Sequence, residues 1–158
     1  MRFRLLSQDE LQHLEAEFKQ FLIVNHIHSD EWKKMNESEP EKAIALVELF
    51  SDTVLLKVYE KVEYMEFRSK QLFSVYHIHS EKMEAIHLKS EDDALSLEKD
   101  EEISLAINSN SSKLSIYRAK KKVNSFKEDE IHRLVEQGCL KSTKSVWEQL
   151  NLLIKTSA

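Results

Sequence analysis

The sequence predicts a single α+β domain over residues 1–158: a helical N-terminal part, a sheet of about four antiparallel strands, and two closing helices. Three observations carry this. The apolar period is that of a helix up to about residue 62 and that of a strand from about residue 63. Three alternating segments, EYMEFRSK, QLFSVYHIHS and KMEAIHLKS, lie within 63–90 with only short breaks, so they pair as consecutive strands, and KLSIYRAKKK supplies a fourth near 113–120. The chain has one glycine and one proline, so little interrupts its elements.

The opening MRFRLL alternates, with Phe3 and Leu5 on one side, as an edge strand or extended arm would. Ser7 and Glu10 then form a capping box, the serine oxygen taking an orphan N–H and the glutamate reaching back. Leu11, Leu14, Phe18, Phe21 and Leu22 follow at helical spacing and predict a helix over 8–24. Ser29 precedes the acidic first turn of a second helix and is its expected N-cap. Pro40 suits the first position of a third, running to about Val62. Val47, Phe50, Val54, Val58 and Val62 share a face that would pack on the sheet. Ser51, Asp52 and Thr53 interrupt it as a solvated strip or a polar notch.

Ile103, Ala106 and Ile107 suggest a short helix near 98–108. Ser125 and Glu128 read as a second capping box. Gly138 sits where the residue after a helix needs a left-handed backbone. Cys139 and Leu140 are expected to pack inward. Ser142 or Thr143 starts the last helix, with Trp147 and Leu150 on its apolar side.

A chain of 158 residues buries about 70% of its unfolded surface and needs no metal or disulfide merely to fold. The net charge of −5 argues against general binding to nucleic acid or an anionic membrane. The lone Cys139 excludes an intramolecular disulfide and points to a reducing, cytoplasmic setting. The N-terminus has no signal-peptide pattern, and no apolar run approaches the roughly 18 residues of a membrane span. One glycine excludes phosphate-cradling loops, dinucleotide fingerprints and the G-x-S-x-G elbow, so no cofactor is implied.

HIHS occurs twice, at His26–Ser29 and His77–Ser80. The first copy falls in a connection, where spacing fixes no geometry. The second lies on a strand, where residues two apart share a face, about 7 Å apart at Cα. If the next hairpin turns on Ser80 and Glu81, His77 stands opposite Glu84. His77, His79 and Glu84 then form a two-histidine, one-carboxylate face. That is one ligand short of a closed structural zinc site, and the face is also flanked by apolar Phe73, Val75, Ile86 and Leu88. The expectation is rim histidines without metal as purified. His13, His87 and His132 have no useful spacing.

Arg118, Lys120, Lys121, Lys122 and Lys127 form a basic cluster flanked by Tyr117 and Phe126, as some nucleic-acid surfaces are. The acidic KEDE beside it favours a solvated strand end. The element order also matches restriction-type nuclease cores, but those need Glu-x-Lys on the strand, and Glu84 is followed by Ala85-Ile86.

The stretches MRFRLLSQDELQHLEAEFKQFLIVN, the EW after it, LFSDTVLLKVYEKVEYMEFRS and IHRLVEQGC resemble an uncharacterised bacterial family, a domain of unknown function found mainly in Bacteroidetes. The resemblance spans nearly the whole chain. It implies a cytosolic bacterial protein and carries over no functional residue.

With no nucleophile–base set in view, the expected function is a non-enzymatic binding or protein-interaction module. The alternatives are a metal-dependent enzyme using the strand histidines and a nucleic-acid accessory protein using the 118–127 cluster. The wide apolar faces of the end helices suggest a protein partner or a homodimer.

Overall fold

The computed structural model describes residues 1–157, with side chains to Lys155. Its elements are α1 (Gln8–His13), α2 (Glu15–Val24), α3 (Ser29–Ser38), α4 (Pro40–Glu60), β1 (Tyr64–Arg68), β2 (Leu72–Ile78), β3 (Lys82–Ser90), α5 (Asp100–Asn108), β4 (Leu114–Lys122), α6 (Lys127–Glu136), β5 (Leu140–Lys141) and α7 (Lys144–Ser157). They fall into two compact units, Met1–Val58 and the chain from Tyr59 onward, and each is described by itself.

In the first unit the opening residues are an extended arm rather than a strand. Asp52 accepts the N–H of Arg2 at 2.7 Å and of Phe3 at 2.8 Å, and Ser51 Oγ accepts the N–H of Leu6 at 3.1 Å. The polar interruption of α4 is thus neither a solvated strip nor an empty notch, because it supplies the arm's missing ladder. Phe3 and Leu6 are buried by this anchoring and Leu5 is exposed, which corrects the expected pairing of Phe3 with Leu5. The Ser7–Glu10 capping box is present. The single helix expected over 8–24 is broken at Leu14, whose φ of −107° and ψ of 21° leave the helical region. Phe18, Phe21, Trp32 and Phe50 then form an aromatic cluster with ring centroids 5.0–6.2 Å apart.

Proline at the first position of α4 is as the sequence predicts. The buried stripe is shifted: Ala43, Phe50, Ser51 and Leu55 are buried, while Val58 is exposed. A groove of about 490 Å³ between α2 and α4 is lined by Leu14, Phe21, Val24, Phe50, Val54 and Val58.

The second unit is built on one antiparallel sheet in the order β4-β3-β2-β1-β5. The fourth expected strand is present, and a fifth, β5, adds two residues beside β1. One face carries Phe73, Val75, Ile86 and Leu88, buried against Ile103 and Ala106 of α5 and Trp147 and Leu150 of α7. Helices α5 and α7 thus cover this face of the sheet, and the long helix, expected to pack on the sheet, groups up to Val58 with α1–α3 in the first unit. Trp147 is spent inside this core, so the apolar side of α7 is largely used within the chain.

Gly138 adopts φ 94°. The N–H of Gly138 bonds Val135 O at 3.0 Å and that of Cys139 bonds Leu134 O at 2.9 Å, the paired bonds of a Schellman ending. Cys139 is buried as expected, but Leu140 is exposed, since it lies on the short edge strand. Thr143 Oγ1 accepts the N–H of Val146 at 3.3 Å and opens α7. The second capping box does not form: α6 starts after Phe126, one residue too late for Ser125 to cap it.

Candidate metal centre

Leu72 to Ile78 pair with Met83 to Lys89 in a register that places Ile78 opposite Met83, His77 opposite Glu84 and Ser74 opposite His87. The hairpin therefore turns on Ser80 and Glu81, as the site requires. No positive φ occurs there, so the turn is not a primed type. His79 is one residue beyond β2, and its N–H bonds Lys82 O at 2.8 Å.

The rings of His77 and His79 lie 3.8 Å apart at their centroids. One ligand atom from each of His77, His79 and Glu84 lies within 4.8 Å of the others. Tyr64 stacks on His77 at 4.4 Å, and Trp147 meets its other surroundings edge-on at 5.5 Å, so this imidazole is held by packing on a strand. His79 Nε2 is buried and has no hydrogen-bond partner. Its distance of 3.8 Å to Glu84 Oε2 is too long for a hydrogen bond. Glu84's other oxygen faces two cations, Lys82 Nζ at 3.6 Å and Lys120 Nζ at 3.8 Å.

Burial, and then the neighbouring His79, push the His77 pKa below the ordinary imidazole value, which favours the neutral form that ligates metals. Burial raises the Glu84 carboxyl, but Lys82, Lys120 and His79 outweigh it and hold it below the usual carboxylate range. The acid is thus ionised and the imidazole neutral near pH 7, the protonation states that coordination needs.

The first HIHS is built differently. His26 has φ 61°, and its N–H bonds Ile23 O at 2.9 Å while that of Ile27 bonds Leu22 O at 2.8 Å. This is the same Schellman ending, closing α2 on a histidine where glycine is usual. His28, not Ser29, is the N-cap of α3, and no side chain caps that helix. The serine falls inside the first turn because the Schellman ending sets where the chain can turn back into helix.

The basic cluster does not form one surface. Pairing of β3 with β4 puts Lys120 opposite Glu84 and Lys122 opposite Lys82, on the histidine face. Lys121 points to the other face and pairs with the buried Glu130 of α6 at 3.0 Å. Arg118 bonds Asn151 of α7, and Lys127 bonds Glu60 O at 3.2 Å. Tyr117 lies 5.0 Å from His87, and Phe126 is exposed at the start of α6.

Two further histidine pairings had no signal in spacing. Ser74 Oγ and His87 Nδ1 are 2.6 Å apart across β2 and β3, in the same register that pairs His77 with Glu84. That is the reach of a nucleophile and its base. Ser74 is fully buried, which keeps a substrate from it. His132 bridges Tyr59 OH at 3.0 Å and Glu136 at 3.0 Å, a buried link from α4's last turn to α6.

No helix among the described residues is long and apolar enough to cross a membrane. No curated protein and no solved structure matches the chain. A family model does match, over residues 1–155, and the chain accordingly belongs to the "Family of unknown function (DUF6495)".

Proposed function

We propose that this protein is a binding module for a divalent transition-metal ion, zinc in the first instance, held by His77, His79 and Glu84. The observation that carries the reading is His79 Nε2, a buried nitrogen without a partner, facing a carboxylate oxygen. Leaving such a group unpaired costs about 1–3 kcal/mol, and an ion between it and Glu84 removes that cost. Two imidazoles and a carboxylate suit zinc, iron, nickel or copper rather than magnesium or calcium.

The spacing supports the fit. With zinc bonds near 2.0–2.2 Å, tetrahedral ligand atoms stand about 3.4 Å apart. Those of His79 and Glu84 are 3.8 Å apart, and the set of three lies within 4.8 Å. Side-chain torsions of His79, which stands one residue beyond β2 beside the turn, close that gap. Oε2 of Glu84 faces the ion's place while Oε1 stays with the lysines, so a supporting charge is already on the ligating carboxylate. Three ligands leave a fourth position open, unlike the closed four-ligand set of a structural zinc site. Catalysis would require in addition a positioned proton-transfer group, so binding is the reading adopted. A protein-interaction role has the α2–α4 groove for support. It ranks second, because that lining specifies no particular partner while the histidine site specifies its ligand by chemistry.

Calorimetric titration of metal-stripped, untagged protein with zinc tests this. One ion per chain is expected, with affinity reduced about 100-fold or more in His77→Ala/His79→Ala. His26→Ala/His28→Ala is the control and should match the wild type. Zinc binding that ignores the 77/79 pair, or no binding, overturns the proposal.

A further inference from the structure

Two candidate features of the sequence, the histidine pair and the basic strand, meet on one face of the sheet. Glu84 of β3 is opposite His77 of β2 on one side and opposite Lys120 of β4 on the other. Lys82 precedes it by two residues on the same face, and Lys122 stands opposite Lys82. One carboxylate thus faces two ammonium groups within 3.8 Å, and a third lysine stands in the next register position of that face. Even with Glu63, a second carboxylate that acts on His77, the three lysines outnumber the acids here before a dication is added. With one bound, the face carries a large excess of positive charge around an open coordination position.

We infer that the metal's open position takes a small phosphoryl dianion, such as inorganic phosphate or a simple phosphomonoester, with one oxygen on the ion and the others directed to Lys82 and Lys120. This rests on the metal reading above. The chemistry favours a multi-oxygen dianion over a carboxylate, because the positive groups come from separate strands and a tetrahedral phosphoryl group offers oxygens in more than one direction. Lys82 and Lys120 are well exposed, with side-chain accessibilities of 56% and 65%, so both can move from the Glu84 carboxylate to an arriving anion. Exposure also means that salt screens the attraction. The His77 side, by contrast, is closed by Tyr64 and Trp147, so the anion approaches from the lysine side.

Cobalt separates the two layers of this argument, since its visible absorption reports both occupancy and any change of ligand. Metal-stripped wild type is loaded with Co²⁺, then titrated with inorganic phosphate, phenyl phosphate or acetate, below the concentrations that precipitate cobalt. The expected result is a cobalt band that both phosphates shift saturably and acetate shifts only at higher concentration. In Lys82→Gln/Lys120→Gln, loss of two cations should leave cobalt binding the same or tighter and weaken the phosphate response about tenfold. Raising potassium chloride should weaken the wild-type response more than that of the variant. A shift by inorganic phosphate alone, with none from phenyl phosphate, restricts the ligand to the free ion and supports the site. A cobalt band that phosphates leave unchanged, or shift equally in the lysine variant, overturns the anion site while leaving the metal site standing. Absence of any cobalt band overturns both.

Discussion

The two copies of HIHS have the same four side chains and opposite consequences. At 26–29 the backbone is bent: His26 is left-handed at the end of α2, and His28 is the extended N-cap of α3. At 77–80 it is a strand running into a two-residue turn, so His77 and His79 project to one side and their rings come within 3.8 Å. The first copy spends its histidines on chain reversal. The second brings them to a carboxylate supplied by the neighbouring strand. A short motif therefore specifies ligand types, and the pairing register decides whether they converge.

Each copy also has a tryptophan near it, and these give the largest expected effect. Trp147 is buried beside His77 in the sheet's core, and Trp147→Ala should cost about 4 kcal/mol in urea unfolding. Trp32, in the helix that the first copy caps, is only half-buried and meets Phe18 edge-on at 5.2 Å. Trp32→Ala should cost about 1–2 kcal/mol. Equal losses would mean that the two environments are not as different as their burial.

A histidine outside both copies sharpens the contrast next. Burial pushes the His87 pKa below its ordinary value, so the folded protein binds a proton there less readily than the unfolded chain. Its contribution is complete above the unfolded value near 6.5 and is lost as pH falls from there through the lower, folded pKa. Chemical denaturation at pH 7.5 and pH 5 should show a fall in stability that His87→Gln reduces. An unchanged slope would show that His87 titrates normally.

The smaller effects lie at the first copy. His26 holds φ 61°, a region costly for any residue with a Cβ. His26→Gly should therefore stabilise the protein by about 1 kcal/mol, read as a rise in Tm. Ser29→Ala should change stability by less than about 0.5 kcal/mol, because Ser29 is inside α3 and caps nothing. A loss near 1 kcal/mol, such as a true N-cap gives, would restore the role that the sequence suggests for it.

The legible parts of the fold were those that periodicity and end signals encode. Alternation located β1 to β4, the Ser7–Glu10 box started α1, Pro40 started α4, and Gly138 ended α6. The register of His77 against Glu84 followed from the length of one turn. The rest depends on tertiary pairing. β5 is two exposed residues with no pattern of their own, recognisable through their pairing with Met65 and Glu66 of β1, with the Ser142 N–H to Tyr64 O and its hydroxyl to Glu66 as further ties. Leu14 breaks a helix whose apolar spacing runs straight through it. Lys120 joined the histidine face through the β3–β4 register, and Tyr64 and Trp147 joined it through packing, neither of which a local window contains.

The order of the sheet leaves β4 and β5 as its two edge strands among the described residues, each with one border that pairs with no further strand. Such borders are templates on which a second chain can continue the ladder and start aggregation. β5 offers too little length to serve as one. β4 is nine residues long and would serve well, but it ends in Lys120, Lys121 and Lys122. A second chain pairing along this stretch would have to lie against three successive ammonium-bearing side chains, set on both faces because Lys121 alternates with its neighbours, and such charges blunt an edge. Whatever these lysines do for a bound anion, they also keep the longest open rim of the sheet from growing.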